Sequence, residues 1–401
     1  NLYFESLTPP AIAGDIFGWG VAFVPSDAYD SYCNAGVWSE YKDRIVTREM
    51  SECEVEAWST EGMSGILNAI GLDGTDKVVK LKVKGEINSY DMTVMRDKMP
   101  LLQEIDLSEA TVVASSKPFY QTYCTGKNSL GSYAFYGLDK LVSVKLPKDL
   151  ATLGDCAFAR CGRLQSVDAS ATETLDMGES TFLECYGLEK IVFPPVVDEI
   201  GPNTFCSCNS LEELNLHRIT GSIGTGVFSY CGIERLTIDS IGGDISQSAF
   251  NSCQSLVEVK VGTLVGELCN NAFSRCEELR SVEFTKGPQK VGSDVFFLTN
   301  KLENFVVGDG SSEISEKAIV AYIEVATRNA LGGWEMGIEK TNRKALKRVV
   351  LPESIQKIGK EAFNGCVSLA DFSIPRNVTS IGGSAFEGCS GLEEVIIPDS
   401  I

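Results

Sequence analysis

His217 is the single histidine in a chain of 401 residues that also carries 14 cysteines and 55 Asp and Glu side chains. A Ser-His-Asp or Cys-His arrangement would have to use it, because a base must sit between the nucleophile and its orienting partner. It follows Leu216 at the end of a short apolar alternation, so a solvated rim position is expected. No nucleophile elbow or glycine-rich phosphate loop accompanies it. The cysteines could bind metal or pair as disulfides, yet Cys161, Cys185, Cys208, Cys231, Cys253, Cys276, Cys366 and Cys389 each lie three residues after a Phe. Side chains repeated at one position of a recurring unit point the same way, which opposes disulfide geometry. Cys206 next to Cys208 has no second pair or His to complete a zinc set. Buried free thiols in a small apolar slot are the expectation, with no metal and no cofactor. Paired carboxylates could still hydrolyse a polysaccharide across a cleft. No pair stands out, and the chain reads as a non-enzyme.

What positions these residues is a repeat. The Phe recurs at 135, 158, 182, 205, 228, 250, 273 and 296, then at 363 and 386, with steps of 22 to 24 residues apart from one of 67. Self-similarity at this period means coils that cannot bury their apolar side alone and must stack. Leu211/Leu214/Leu216 and Leu256/Val259/Val261 alternate as short strands, several of which stop at Pro147, Pro194, Pro352, Pro375 or Pro398. The return limb, Ile-Gly-x-x-Ala-Phe-x-x-Cys, has a Gly suited to a turn and a Phe that fills the coil. Truncating one such Phe to Ala is expected to cost roughly 3–5 kcal/mol. The predicted fold is therefore an α/β repeat solenoid, one elongated domain over 111–401 with a parallel sheet on one face.

In the long step, counting 23 from Phe296 reaches Ile319, and the remaining 44 residues leave room for two coils, one of them degenerate. Thr299 and Tyr322 would then occupy rungs of the cysteine ladder. Ile319, Ile323, Ala326 and Ala330 recur at helical spacing before Gly332-Gly333, so a helical insertion is expected within 308–345, with Trp334 after it as a candidate contact. Ahead of the coils, 51–110 reads as an α/β cap. Met63, Ile66, Leu67 and Ile70 form a helical stripe ended by Gly71, Val79, Leu81 and Val83 a strand, and Asn88 or Ser89 caps a second helix up to Pro100. Residues 7–50, with Phe17, Trp19, Tyr32 and Trp38 among turn residues, are expected to be a β-rich extension of that cap. Residues 1–6 resemble an expression-tag remnant, and the coil frame at Pro398–Ile401 is expected to continue.

The frame Ile-Gly-x-x-Ala-Phe-x-x-Cys-x-x-Leu-x-x-Val-x-Leu-Pro, best seen over 358–375, resembles the BspA-type leucine-rich repeats of bacterial surface and secreted proteins. Lys80–Ile87, Met95–Pro100 and Ile105–Thr111 are also similar to the amino-terminal entry of such proteins from Bacteroides-like bacteria. This resemblance implies an exported protein, at the cell surface or extracellular, in adhesion or ligand capture.

The formal charge of −20 opposes binding to nucleic acid by repulsion, and no apolar run approaches the roughly 18 residues that span a bilayer. Outward positions of the strands form two columns. One includes Lys190, Glu213, Arg235, Glu258, Ser281, Asn304, Arg348 and Asp371, and the other Val192, Asn215, Thr237, Lys260, Glu283, Val306 and Val350. The mixed signs at Lys190, Glu213, Arg235 and Glu258 make these, with Trp334, the candidate contacts for a protein or glycan at a cell surface. The same charges could instead offset one another across strands. A monomer is expected, and a spacer that displays another module is the structural alternative.

Overall fold

The computed structural model describes residues 1–18, 20–328 and 334–401, and it divides into two compact units, 1–173 and 174–401. Trp19, Ala330, Gly332 and Gly333 lie outside the described residues.

In the first unit, 7–50 is not β-rich. Short helices at Ser26–Ala28, Tyr29–Asn34 and Gly36–Arg44 outweigh two two-residue strands, Ala22–Phe23 and Ile45–Val46, which form a small sheet with Leu2–Tyr3. The segment has no sustained apolar alternation, and its aromatics pack from several directions into one small core around Phe17, Tyr32 and Trp38. Trp38 Nε1 donates to the Pro10 carbonyl at 2.7 Å, so the indole is buried without an orphaned donor.

Three parallel strands follow, Glu52–Trp58, Lys80–Ile87 and Glu104–Val112. The helix Gly65–Ile70 starts at Ser64 and stops at Gly71, and Ser89–Asp97 starts at Asn88 with a full capping box to Asp91. Asp91 is fully buried and ties both helix starts together. Its carboxylate accepts from Ser59 Oγ (2.5 Å), Ser64 Oγ (2.7 Å), Ile66 N (3.0 Å) and Asn88 N (2.8 Å). On the outer face Lys80 reaches Glu104, Lys82 reaches Glu109 and Lys84 reaches Glu54, at 3.3, 2.6 and 2.5 Å. The charges on this face neutralise one another across strands.

In the second unit the coils stack in register. Glu213, Arg235, Glu258, Ser281, Asn304 and Arg348 are successive ladder partners, followed by a bridge to Asp371. A second, shorter strand lies in each later coil, with Lys290, Glu313, Lys357 and Ser380 in one parallel row. Inside, Phe182, Phe205, Phe228, Phe250, Phe273 and Phe296 stack with neighbouring centroids 5.1–6.0 Å apart and planes within 16°. The first unit repeats this at Phe135 and Phe158, 5.1 Å apart. The thiols donate to backbone carbonyls: Cys208 to Phe182, Cys231 to Phe205 and Cys276 to Phe250, at 3.0–3.3 Å.

The glycine before Ala-Phe works by close approach, not by a left-handed turn. A Cβ on Gly224 would sit 2.8 Å from the Ile200 carbonyl oxygen, and one on Gly359 would sit 2.4 Å from Glu316 N. The left-handed residues flank the Phe by two on each side and are mostly not glycine, as with Asn203 (φ 55°) and Ser207 (φ 65°) around Phe205.

The 44 residues after Ile319 hold one coil, not two, and no helix among the described residues. Asn304 pairs directly with Arg348 and Glu313 with Lys357, 44 residues apart where neighbouring coils are 23 apart. The extra 21 residues are an antiparallel hairpin, strands Ala321–Arg328 and Trp334–Thr341. Ile323 and Val325 alternate with Glu324 and Ala326, a strand pattern that the i, i+4 apolar spacing concealed. Tyr322 therefore lies on the hairpin, and the vacated rung is filled by Arg343. Its guanidinium is fully buried and donates to the carbonyls of Phe296, Thr299, Ile319 and Val320, at 3.2, 2.6, 2.8 and 3.1 Å.

Candidate functional site

The column of ladder partners has a break. Lys190–Val192 and Glu213–Ile219 stand one coil apart, but they are not hydrogen-bonded to each other. From Glu213 to Leu216 the later strand pairs only with 235–238, and its other ladder begins at Arg218 with Val196. The earlier strand gives way to Phe193-Pro194-Pro195, and the two prolines remove consecutive backbone donors where it would continue. A cleft of about 730 Å³ opens over this break, lined by Glu189, Lys190, Phe193, Asn209, Ser210, Glu212, Glu213, Asn215 and His217. Phe193 forms an apolar floor, edge-on to Phe205 at 6.0 Å.

Lys190, Glu213 and Arg235 are exposed, and among the described residues they form no ion pair. Glu258 differs, with its carboxylate 2.8 Å from Lys260 on its own strand. Further along, Arg280 is held by Glu303 (2.6 Å) and Arg348 by Asp371 (3.0 Å). Lys190 and Glu213 thus share the cleft, Arg235 adjoins it through the ladder, and Glu258 is one strand further. Trp334 opens the second hairpin strand, away from that group, and its side chain lies outside the described part. Met336 and Ile338 on the same strand are exposed. The cleft itself escaped the sequence reading. Its signal is the doubled proline at 194–195, where other coils carry one or none.

His217 lies on the rim, exposed, with Nδ1 3.3 Å from Asp239. The cleft carboxylates of Glu189, Glu212 and Glu213 are likewise exposed. Among the described residues, the carboxyl that is moved upward is Asp176, through burial and then the nearby Glu199 and Asp198. It does not line the cleft. Among the described residues no group of His, Cys, Asp and Glu is arranged to hold a metal ion. Among the described residues no helix is long and apolar enough to cross a membrane.

Stacked parallel coils with an in-register Phe ladder and an outward strand column define a leucine-rich repeat protein. The BspA type leucine rich repeat region matches in six copies over residues 123–234, 198–323 and 341–401, and the chain belongs to that family. Among solved structures it is similar to a leucine-rich repeat protein from Bacteroides ovatus, at 20% identity over 69% of this chain and 84% of that one, TM-score 0.31. A leucine rich cell surface protein from Faecalibacterium prausnitzii is 17% identical over 86% and 87% of the two chains, TM-score 0.35. The pneumococcal vaccine antigen PcpA is 14% identical over 89% and 79%, TM-score 0.31. No curated protein matches the chain.

Proposed function

We propose that this is a non-enzymatic binding protein of the cell surface or extracellular space, which contacts a protein partner through the face formed by Lys190, Glu213 and Arg235. The observation that carries this reading is the contrast between faces. Charges on the first unit's sheet are joined in Lys-Glu pairs, whereas these three stand unpaired beside an apolar-floored cleft. Free charges of both signs around an apolar centre suit a protein interface, with steering and specificity at the rim and desolvation at the centre. The family, and the surface protein of Faecalibacterium prausnitzii among the similar structures, support the location. The hairpin, with Trp334 at its second strand and Met336 exposed, is a separate candidate contact on the same unit.

The test is biolayer interferometry against an array of host extracellular and bacterial surface proteins, comparing the parent chain with Arg235→Glu and Glu213→Lys. Each reversal is expected to weaken a detected interaction about tenfold or more. Binding that survives both reversals unchanged would remove the face from the proposal.

A further inference from the structure

A second irregularity lies in the first unit. Glu104 pairs with Ser143, 39 residues on, whereas Ser143 pairs with Ser166 at the regular 23, so this coil carries 16 additional residues. They include a tight turn in which Tyr120 and Tyr123 bridge each other. The turn sets both rings against two tyrosines of the following coil. Centroids are 5.5 Å apart for Tyr120 and Tyr133, 5.0 Å for Tyr123 and Tyr133, 5.3 Å for Tyr133 and Tyr136, and 6.3 Å for Tyr120 and Tyr136. All four are partly exposed.

Three contacts fix this group from beneath. Arg96, on the helix Ser89–Asp97, donates to the carbonyls of Tyr133 (2.5 Å) and Ala134 (3.0 Å), and its guanidinium lies 4.6 Å from the Tyr120 ring centre. Gly131 lets the added segment press on the coil, since a Cβ there would come within 2.1 Å of the Cys124 carbonyl oxygen. The Tyr133 phenol shares a hydrogen bond with the Cys156 thiol, which pushes its pKa up to about 12. A core ring needs neither exposure nor such support, and these four have both.

Ring geometry selects the ligand class. An aromatic cage for a cation needs faces set apart around a hole, with the cation within about 6 Å of each centroid. Here the rings touch one another, and Arg96 already covers a face of Tyr120. Pro-rich segments lie in grooves between aromatic side chains, and rings in mutual contact leave none. What remains is an uncharged ligand with flat, CH-rich faces and many hydroxyls, matched by phenol faces with hydroxyls at their edges. We propose that Tyr120, Tyr123, Tyr133 and Tyr136 form a platform that binds a neutral glycan by stacking its pyranose rings on the exposed phenol faces. This stands apart from the protein-binding face of the second unit.

The test is a printed array of neutral and sialylated glycans with decaproline as an added spot, probed with the whole chain and followed by calorimetric titration of the strongest glycan. The parent chain is expected to bind neutral glycans, and Tyr123→Ala/Tyr136→Ala to lose about tenfold or more in affinity. Thermal unfolding of the variant should match the parent, and if the double variant does not fold, Tyr123→Ala alone on the surface turn carries the test. Arg235→Glu should bind glycan as the parent does, whatever it does to protein partners. Absence of neutral-glycan binding, glycan binding indifferent to the tyrosine changes, or decaproline binding that those changes abolish would each overturn the proposal.

Discussion

Arg343 gives the sharpest test of how the hairpin is built into its coil. Replacing it with Met keeps most of the volume but strips three carbonyls, those of Thr299, Ile319 and Val320, of their donor, while the Phe296 carbonyl keeps the Thr299 N–H. A buried acceptor left unpaired costs about 1–3 kcal/mol, so the gross penalty is roughly 3–9 kcal/mol. Against this, the guanidinium no longer has to be desolvated, which is worth several kcal/mol (roughly). The net loss expected for Arg343→Met is about 3–5 kcal/mol. Burial lowers the Arg343 pKa to about 10, so it is charged at pH 7, and Arg343→Lys, with one compact donor head in place of a planar fork, should recover only part. Because two units can unfold separately, the readout is native-state hydrogen exchange by mass spectrometry on peptides covering 296–320 and 342–350.

Arg343 and the hairpin are coupled. Deleting 321–341 joins Ile319-Val320 to Asn342-Arg343 and restores the regular Phe-x-x-Cys frame one short of its thiol. In that shortened chain Arg343→Cys should be neutral or stabilising, since a thiol then meets the Phe296 carbonyl as Cys276 meets Phe250. In the full chain the same substitution should cost about as much as Met. A cost for Arg343→Met below about 1 kcal/mol, or equal costs of Arg343→Cys with and without the hairpin, would refute the reasoning.

Two further outcomes follow from buried groups. Asp91→Ala leaves two serine hydroxyls and two backbone N–H groups without their acceptor, and should lower first-unit stability by about 3 kcal/mol or more, with Asp91→Asn intermediate, by thermal unfolding. The second outcome concerns alkali: burial raises the thiol pKa of Cys161 to about 12 and moves Cys208, Cys231 and Cys276 upward as well. The unfolded thiols ionise near pH 8.5–9 (about) while the folded ones stay protonated, so the native state binds more protons there and stability falls as pH rises from about 9 towards 12. Urea midpoints that stay level from pH 8 to pH 10.5 would contradict this.

The repeat was legible because every interior side chain answers to the one above and below it. Phe205 must stack on Phe182 and Phe228, and Leu214 must meet Leu236, so each position recurs and the two outward columns follow by alternation. The capped helices were legible for a local reason, since Ser64, Gly71 and Asn88 each satisfy end groups of their own helix. The strand Glu52–Trp58 is also written in the chain, as Glu52, Glu54 and Glu56 alternating with Cys53, Val55 and Ala57, although its row of carboxylates masks the inward face. The hairpin misled for a different reason. Ile319, Ile323 and Ala326 fit a helix stripe while Ile323 and Val325 fit a strand face, and over so short a run only the cross-strand pairing of Ile323 with Glu339 decides.

The same logic explains why the candidate sites lie where the repeat fails. In a regular coil an outward charge finds a partner in or beside its own strand, as Arg348 finds Asp371, and little is left over for a ligand. At the double proline of 194–195 that exchange stops, and Lys190 and Glu213 face a cleft instead of each other. At the 16-residue addition, four tyrosines gather into one partly exposed group. At the 21-residue hairpin, Met336 and Ile338 are exposed outside the core of the coils. Periodicity therefore carries the fold and, by the same constraint, says nothing of the ligand. The information about binding is in the residues that break the period, and the variants that can report on it are those at Arg235, Tyr123 and Arg343 more than any at the Phe or Cys rungs.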